Sequence, residues 1–308
     1  MSLWTYKKLS VDVGYIRSLK GYNMHHPTYR IAETINYDNN PCFHDPNTYP
    51  TFQDDLLKFK SLLSELVGGS EPKTFYKFGD GDYFFLNKLE VGSASPGKRA
   101  LSRNYSQIKH AEFVDGVCKN DFITCEIYPE NRNYFRSLYP NQPIAFPSEF
   151  CYGLVSNKWI LRQFSGRIGL IGADAKIDLI KSLMTHKEYQ DYLGMESFTD
   201  YLKIPQKFAC DDIDATEAMI AEQLKNSTAD IFLVGVGHVK SALLHRLKKY
   251  RNAVFLDVGS SIDAIAGIID HKRPYFGAWI NHRVENFDYG RLDILQYDIW
   301  GTPHKMLS

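Results

Sequence analysis

Two carboxylates, Asp80 and Asp82, flank Gly81 in the segment Lys77-Phe78-Gly79-Asp80-Gly81-Asp82, directly after an apolar run. Carboxylates at i and i+2 on a glycine turn can converge on one hard divalent cation, and that cation can neutralise a diphosphate whose oxygens complete its coordination. The same residues also suit an Asp-Gly hairpin turn between Phe78 and Tyr83, which needs no metal. The apolar residues on both sides would place the pair at the edge of a sheet.

A second candidate lies at Gly235-Val236-Gly237, where the apolar run Ile231 to Val236 turns toward a helical pattern, and Asp257 follows 20 residues after Gly237. Backbone N–H groups at such a turn can hold phosphate, while an acid at that distance can hold a ribose hydroxyl. The third glycine of a dinucleotide fingerprint would fall at position 240, which is Lys240. That substitution argues against a nicotinamide or flavin cofactor. His238 and Lys240 instead point to an anionic ligand, although a tight turn with no ligand explains the glycines equally well.

Weaker candidates surround these two. Arg99, Arg103, Asn104 and Lys109 form a polar stretch that can stabilise a departing diphosphate or line a solvated helix. Asp174 and Asp263 each suit a helix start or a ligand contact. His110, His238, His271 and His282 cannot be ranked as general bases. There is no G-x-S-x-G elbow and no Cys/His nucleophile pair. Tyr275, Phe276 and Trp279 could stack on a sugar, but aromatic residues of this kind more commonly pack in a core.

The elements that must position these residues follow from periodicity. Thr51 to Val67 places Phe52, Leu56, Leu57, Phe59, Leu62, Leu63 and Leu66 near one helical face. Strands are expected at Thr74–Phe78, Asp121–Ile127, Arg167–Ile171, Phe198–Ile204, Ile231–Val236 and Ala253–Val258. Helices are expected at Ala175–Met184, about 214–225, Val239–Tyr250 and Ser261–Ile269. Alternation of this kind implies a Rossmann-like α/β fold with a mainly parallel sheet covered by helices on both faces. Ligands of such sheets sit outside the carboxyl ends of the strands, so the loops after Phe78, Ile171, Val236 and Val258 are the places to look. The expected organisation is an irregular N-terminal extension with its amphipathic helix (1–69), a Rossmann-like domain (70–285) and a C-terminal tail (286–308).

Composition narrows the function classes. The 36 Lys+Arg equal the 36 Asp+Glu, which leaves no basic surplus for a nucleic-acid surface. With 44% hydrophobic residues the chain can build a core. The five cysteines, Cys42, Cys118, Cys125, Cys151 and Cys210, have no zinc spacing and read as reduced, buried thiols. No run approaches the roughly 18 apolar residues of a membrane span, and no signal peptide is evident. A cytoplasmic location is the expectation.

Lys77-Phe78-Gly79-Asp80-Gly81-Asp82 resembles the R-F-G-D-G-E signature of the GT-D-type glycosyltransferases. Ile204-Pro205 through Phe208-Ala209, and Asp230 to Asp257 ending in Leu256-Asp257-Val258-Gly259, are similar to later segments of that family. The likeness spans roughly residues 70–270, with Lys77 in place of Arg, Asp82 in place of Glu, and Gly-Val-Gly-His where Gly-Pro is common. It implies a GT-D-like fold and transfer of a sugar from a nucleoside-diphosphate donor, UDP foremost, to a glycan hydroxyl. It further implies Mn²⁺ or Mg²⁺ on Asp80 and Asp82, with Asp82 the principal ligand. Lys77, Gly79, Arg103, Gly235, Gly237, His238, Lys240 and Asp257 would line the donor site. The alternatives are an S-adenosylmethionine-dependent methyltransferase, whose glycine turn and strand-end acid resemble 231–257, and a non-catalytic nucleotide-binding module.

Overall fold

The computed structural model describes residues 51–79, 82, 86, 110–126, 129–205, 209, 212–268, 276, 279 and 282–289. Asp80, Arg99, Arg103, Asn104, Lys109, His271, Tyr275, Cys42 and Cys210 lie outside that set.

Seven strands form one sheet: β1 (Lys73–Phe78), β2 (Phe122–Cys125), β3 (Phe146–Pro147), β4 (Ile168–Ala173), β5 (Asp200–Ile204), β6 (Ile231–Gly235) and β7 (Val254–Asp257). Their spatial order is β3-β2-β1-β7-β6-β4-β5, and every pairing is parallel. A parallel sheet requires crossovers that cover it, so its strands are buried on both faces and read as continuous apolar runs. This is the Rossmann-like α/β arrangement that the alternation implied. It also removes the hairpin reading of the Asp-Gly turn, because both neighbours of β1 run parallel to it.

Helices divide between the faces. On one face α1 (Phe52–Leu66), α4 (Ser148–Ser156), α6 (Asp174–Leu183) and α10 (Ser261–Ile265) pack on Phe75, Leu170, Leu233 and Leu256. On the other, α2 (His110–Cys118), α3 (Pro129–Leu138), α8 (Ile213–Leu224) and α9 (Lys240–Leu243) cover Tyr76, Phe78, Phe232 and Phe255. Leu56, Phe59 and Leu63 carry the buried stripe of α1, while Leu57 falls off it and is 47% exposed. Phe276 and Trp279 are buried in the core, as the aromatic packing rule favours. Among the described residues no helix is long and apolar enough to cross a membrane.

Three expectations need correction. The helix expected at 239–250 is a 3₁₀ turn (Gly237–Val239), then the single turn α9, then a second 3₁₀ stretch (Leu244–Lys249). Val239, Leu243, Leu244 and Leu247 face the sheet, and that spacing satisfies the tighter and the regular helix alike, so periodicity could not separate them. The helix expected to reach Ile269 stops at Ile265, ahead of Gly267 with φ +69°. Cys118 is exposed, whereas Cys125 and Cys151 are buried. Helices α2, α3 and α4, with α5 (Trp159–Gln163) and α7 (Lys187–Leu193), were not anticipated, because each is short or weakly periodic.

The helix that follows β1 covers one face and the helix that follows β7 covers the other. In sheets of this kind such a divergence of connections marks the carboxyl-end crevice where ligands bind. Helix α2 packs closely against α9 near that edge. A Cβ on Gly116 would stand 1.9 Å from the Ser241 carbonyl oxygen, and no backbone can yield that far without separating the helices. Gly116→Ala should therefore destabilise the protein by about 1–3 kcal/mol despite the helix-favouring methyl. Denaturant unfolding checks this; an unchanged midpoint would refute the close approach.

Candidate functional site

Alternation along β1 sends Tyr76 to the α9 face and Lys77 to the α4 face, and Gly79 ends the strand. Asp257, the last residue of β7, lies beside them. The Lys77 N–H donates to Asp257 Oδ2 at 3.2 Å, and the Gly259 N–H donates to Oδ1 at 3.0 Å. From α9, the Lys240 ammonium donates to Asp257 Oδ2 at 2.7 Å and to the Lys77 carbonyl. Both backbone groups of Lys77 are thus satisfied by side chains from other elements, which is how the last residues of this central strand keep their hydrogen bonds after the ladder ends.

Asp82 joins the same cluster. Its Oδ1 accepts the Tyr76 hydroxyl, its Oδ2 accepts the Gly79 N–H at 2.8 Å, and Lys240 Nζ stands 3.3 Å from Oδ2. Burial alone would raise this carboxyl, but Lys240, His238, the Tyr76 hydroxyl and the Gly79 N–H hold it below the ordinary carboxylate value. The Tyr76 hydroxyl is pushed well above its ordinary value by burial and by Asp82. It therefore stays protonated and donates.

Lys77 is 6% exposed. Burial works to lower its ammonium, but the Tyr152 hydroxyl and Asp257 outweigh it and hold the group above the ordinary lysine value. The side chain runs between Gly79 and Gly259, where added Cβ atoms would meet it at 2.9 Å and 3.1 Å. It ends at Tyr152 on α4, whose hydroxyl accepts its hydrogen bond and whose ring centroid lies 5.1 Å away. Among the described residues its hydrogen-bond partner is thus the Tyr152 hydroxyl, with Asp257 and Asp82 acting on its charge, whereas Lys240 is spent on two carboxylates. Burial and nearby Asp257 push the Cys151 thiol up to about 12, which removes it as a nucleophile.

The two glycines of the 235–237 turn do different things. A Cβ on Gly235 would stand 2.5 Å from Ile262 and 2.8 Å from the Gly259 carbonyl oxygen, so Gly235 is required by the close approach of α10. Gly237 has φ +64° and open space around the position of a Cβ. It is exposed at the mouth of the crevice. His238 is turned inward, 8% exposed, near Phe113 and close enough to Asp82 to act on its charge.

Of the anticipated residues, Lys77, Gly79, Asp82, Gly235, Gly237, His238, Lys240 and Asp257 thus gather around the ends of β1, β6 and β7. Asp174 accepts from the Ala175 N–H at 2.7 Å in the first turn of α6, and Asp263 pairs with Lys176 at 2.5 Å. Tyr76 and Tyr152 were not anticipated. A strand tyrosine beside Lys77 was visible in the sequence, but its partner Asp82 is a helical residue beyond the strand and Tyr152 comes from a distant helix.

The residues described here do not suit a divalent metal on Asp82. Both its oxygens are engaged by the protein, a lysine ammonium stands beside it, and among the described residues no three His, Cys, Asp or Glu side chains converge as a metal site. Asp257 is likewise engaged at both oxygens.

The energetics follow from burial. Lys240 pairs with two carboxylates that are each 2% exposed, and removing one member of a buried ion pair leaves its partner uncompensated, at a cost of about 3–5 kcal/mol. Lys240→Met should lose about that much stability, and Lys240→Met/Asp257→Asn less than the sum of the single variants. Denaturant unfolding of the four proteins measures the coupling; additive losses would show that the pair is not coupled. Because the folded-state value of Asp82 is lowered, its contribution is present above the unfolded carboxylate value of about 3.9 and is lost as pH falls below it. Acid unfolding should accordingly be shallower in Asp82→Asn than in the wild type, and equal slopes would contradict the assigned environment.

Comparison with protein-family models, with curated proteins and with solved structures finds no match to this chain.

Proposed function

We propose that the protein is a glycosyltransferase that takes a sugar from a nucleoside-diphosphate donor, UDP foremost, and places it on a glycan hydroxyl. The observation that carries this reading is Lys77. It is a buried ammonium at the carboxyl edge of the parallel sheet, threaded between two glycines and resting on the Tyr152 ring and hydroxyl. Among the described residues no carboxylate forms an ion pair with Lys77, so within that set it can turn to a diphosphate without leaving one unpaired, whereas Lys240 cannot.

Departure of a nucleoside diphosphate builds negative charge on its bridging oxygen, and a preorganised cation in a water-poor site stabilises that charge at little reorganisation cost. Lys77 is placed to do this, with Tyr152 fixing its direction. Gly237, left-handed and exposed with open space at its Cβ position, presents its turn at the same sheet edge. Asp257 and Asp82 serve by holding the strand end and the loop after it in place. A resident divalent metal would supply the same charge neutralisation, but Asp82 as placed here offers it no free oxygen, and the chemistry above is derived from the chain's own cations.

The same geometry weighs against the methyltransferase alternative. That reading needs a strand-end acid to hold ribose hydroxyls, and Asp257 is spent on the Lys77 and Gly259 N–H groups and on Lys240.

Calorimetric titration with UDP tests the proposal. Binding is expected in the wild type, and Lys77→Met should weaken it by tenfold or more, equivalent to about 1.4 kcal/mol, with its fold verified by circular dichroism. Slow hydrolysis across a panel of nucleotide sugars would then identify the donor. No UDP binding with or without Mn²⁺ would sink the reading, and binding of S-adenosylmethionine would replace it. Nucleotide binding without any donor hydrolysis would point to a non-catalytic module.

A further inference from the structure

The position between Asp82 and Asp257 is filled by a cation of the chain itself. Lys240 Nζ lies 2.7 Å from Asp257 Oδ2 and 3.3 Å from Asp82 Oδ2, and 4.4 Å from the centroid of the Tyr76 ring. It also donates to the Lys77 carbonyl. An ammonium has three protons to give, and three oxygens surround this one. Asp82 is further engaged by the Tyr76 hydroxyl and the Gly79 N–H. Both carboxylates are 2% exposed and Lys240 is 8% exposed.

A divalent ion between Asp82 and Asp257 would have to displace this ammonium or sit against it. Displacement breaks the hydrogen bonds to Asp257 and to the end of β1 and the ion pair with Asp82. Coexistence places like charges within ion-pair distance in a poorly screened interior, where repulsion is far stronger than in water. His238, close to Asp82 on the α9 side, adds to the same disfavour whenever it is protonated.

We propose that Lys240 is the permanent cation of this site: it takes the place between Asp82 and Asp257 that a divalent ion would hold, so Asp82 is not a metal ligand and nucleoside-diphosphate binding here needs no divalent metal. The nucleotide half rests on the transferase reading; the metal half stands without it. In the full chain the arrangement makes Lys240 a positioning residue, since it acts on β1 and on Asp82 and not on the substrate.

Manganese alone, titrated into the full-length protein and followed by the electron paramagnetic resonance of free Mn²⁺, tests the metal half without nucleotide. The wild type should show no Mn²⁺ site that depends on Asp82. Lys240→Met should create one, tighter by about tenfold or more, and adding Asp82→Asn should abolish it. A wild-type manganese site weakened about tenfold by Asp82→Asn would overturn the inference, as would a folded Lys240→Met variant that gains no site. A site indifferent to Asp82→Asn lies elsewhere and agrees with it. If Lys240→Met does not fold, the comparison of wild type with Asp82→Asn still decides. For the nucleotide half, UDP affinity should be unchanged on adding a chelator; loss of binding in chelator would overturn it. Absence of UDP binding under every condition would instead count against the transferase reading and leave the manganese result to stand.

Discussion

The Lys240 ammonium is the point on which the carboxyl edge of this sheet depends. Its contacts tie three separate pieces of chain together: the end of β1 through the Lys77 carbonyl, the end of β7 through Asp257, and the helical residue Asp82 that follows β1. A parallel strand that outruns its ladder exposes backbone groups that must find partners. Here the partners are charged side chains, and charge-assisted bonds of this kind are the stronger ones. Two positive and two negative groups, Lys77, Lys240, Asp82 and Asp257, offset one another in a largely buried volume. The overall equality of 36 basic and 36 acidic residues is thereby repeated locally.

That latch explains why the remaining elements lie where they do. Gly116 lets α2 approach α9 closely enough to support Lys240 from behind, and Gly235 lets α10 close over the end of β6. With helices after β1 and β7 directed to opposite faces, the latch lies at the floor of the crevice between their loops. Lys77 rises from the same strand but toward the other face, to Tyr152 on α4. One strand thus supplies a residue to the fixed charge network through its backbone and a far less committed cation through its side chain.

The parallel architecture, six of the seven strands and the helices around residues 52–66, 174–183 and 213–224 were legible in the sequence, because apolar runs and amphipathic periods are set by burial, which acts locally along each element. Gathering of Lys77, Gly79, Asp82, Gly235, Gly237, His238, Lys240 and Asp257 was also legible, since all follow or end strands that a doubly covered sheet aligns at one edge. Strand β3 was not, being two residues long. Helices α3 and α4, and with α4 the partner of Lys77, lacked a clear stripe. The 3₁₀ character of 237–249 was hidden because its apolar spacing serves both helix types.

What the sequence determined by itself was residue type and edge: acids, cations and glycines at the carboxyl end of a parallel sheet. Which acid meets which cation was decided only by tertiary structure. Asp82 and Lys240 are far apart in sequence, and Lys240 and Asp257 stand on different elements, so their pairing depends on strand order and on the direction each helix takes from the sheet. The motif at Lys77–Asp82 suggested an acid waiting for a metal. The fold brings a lysine to that acid, because a buried carboxylate must be neutralised by whatever charge the packing delivers to it.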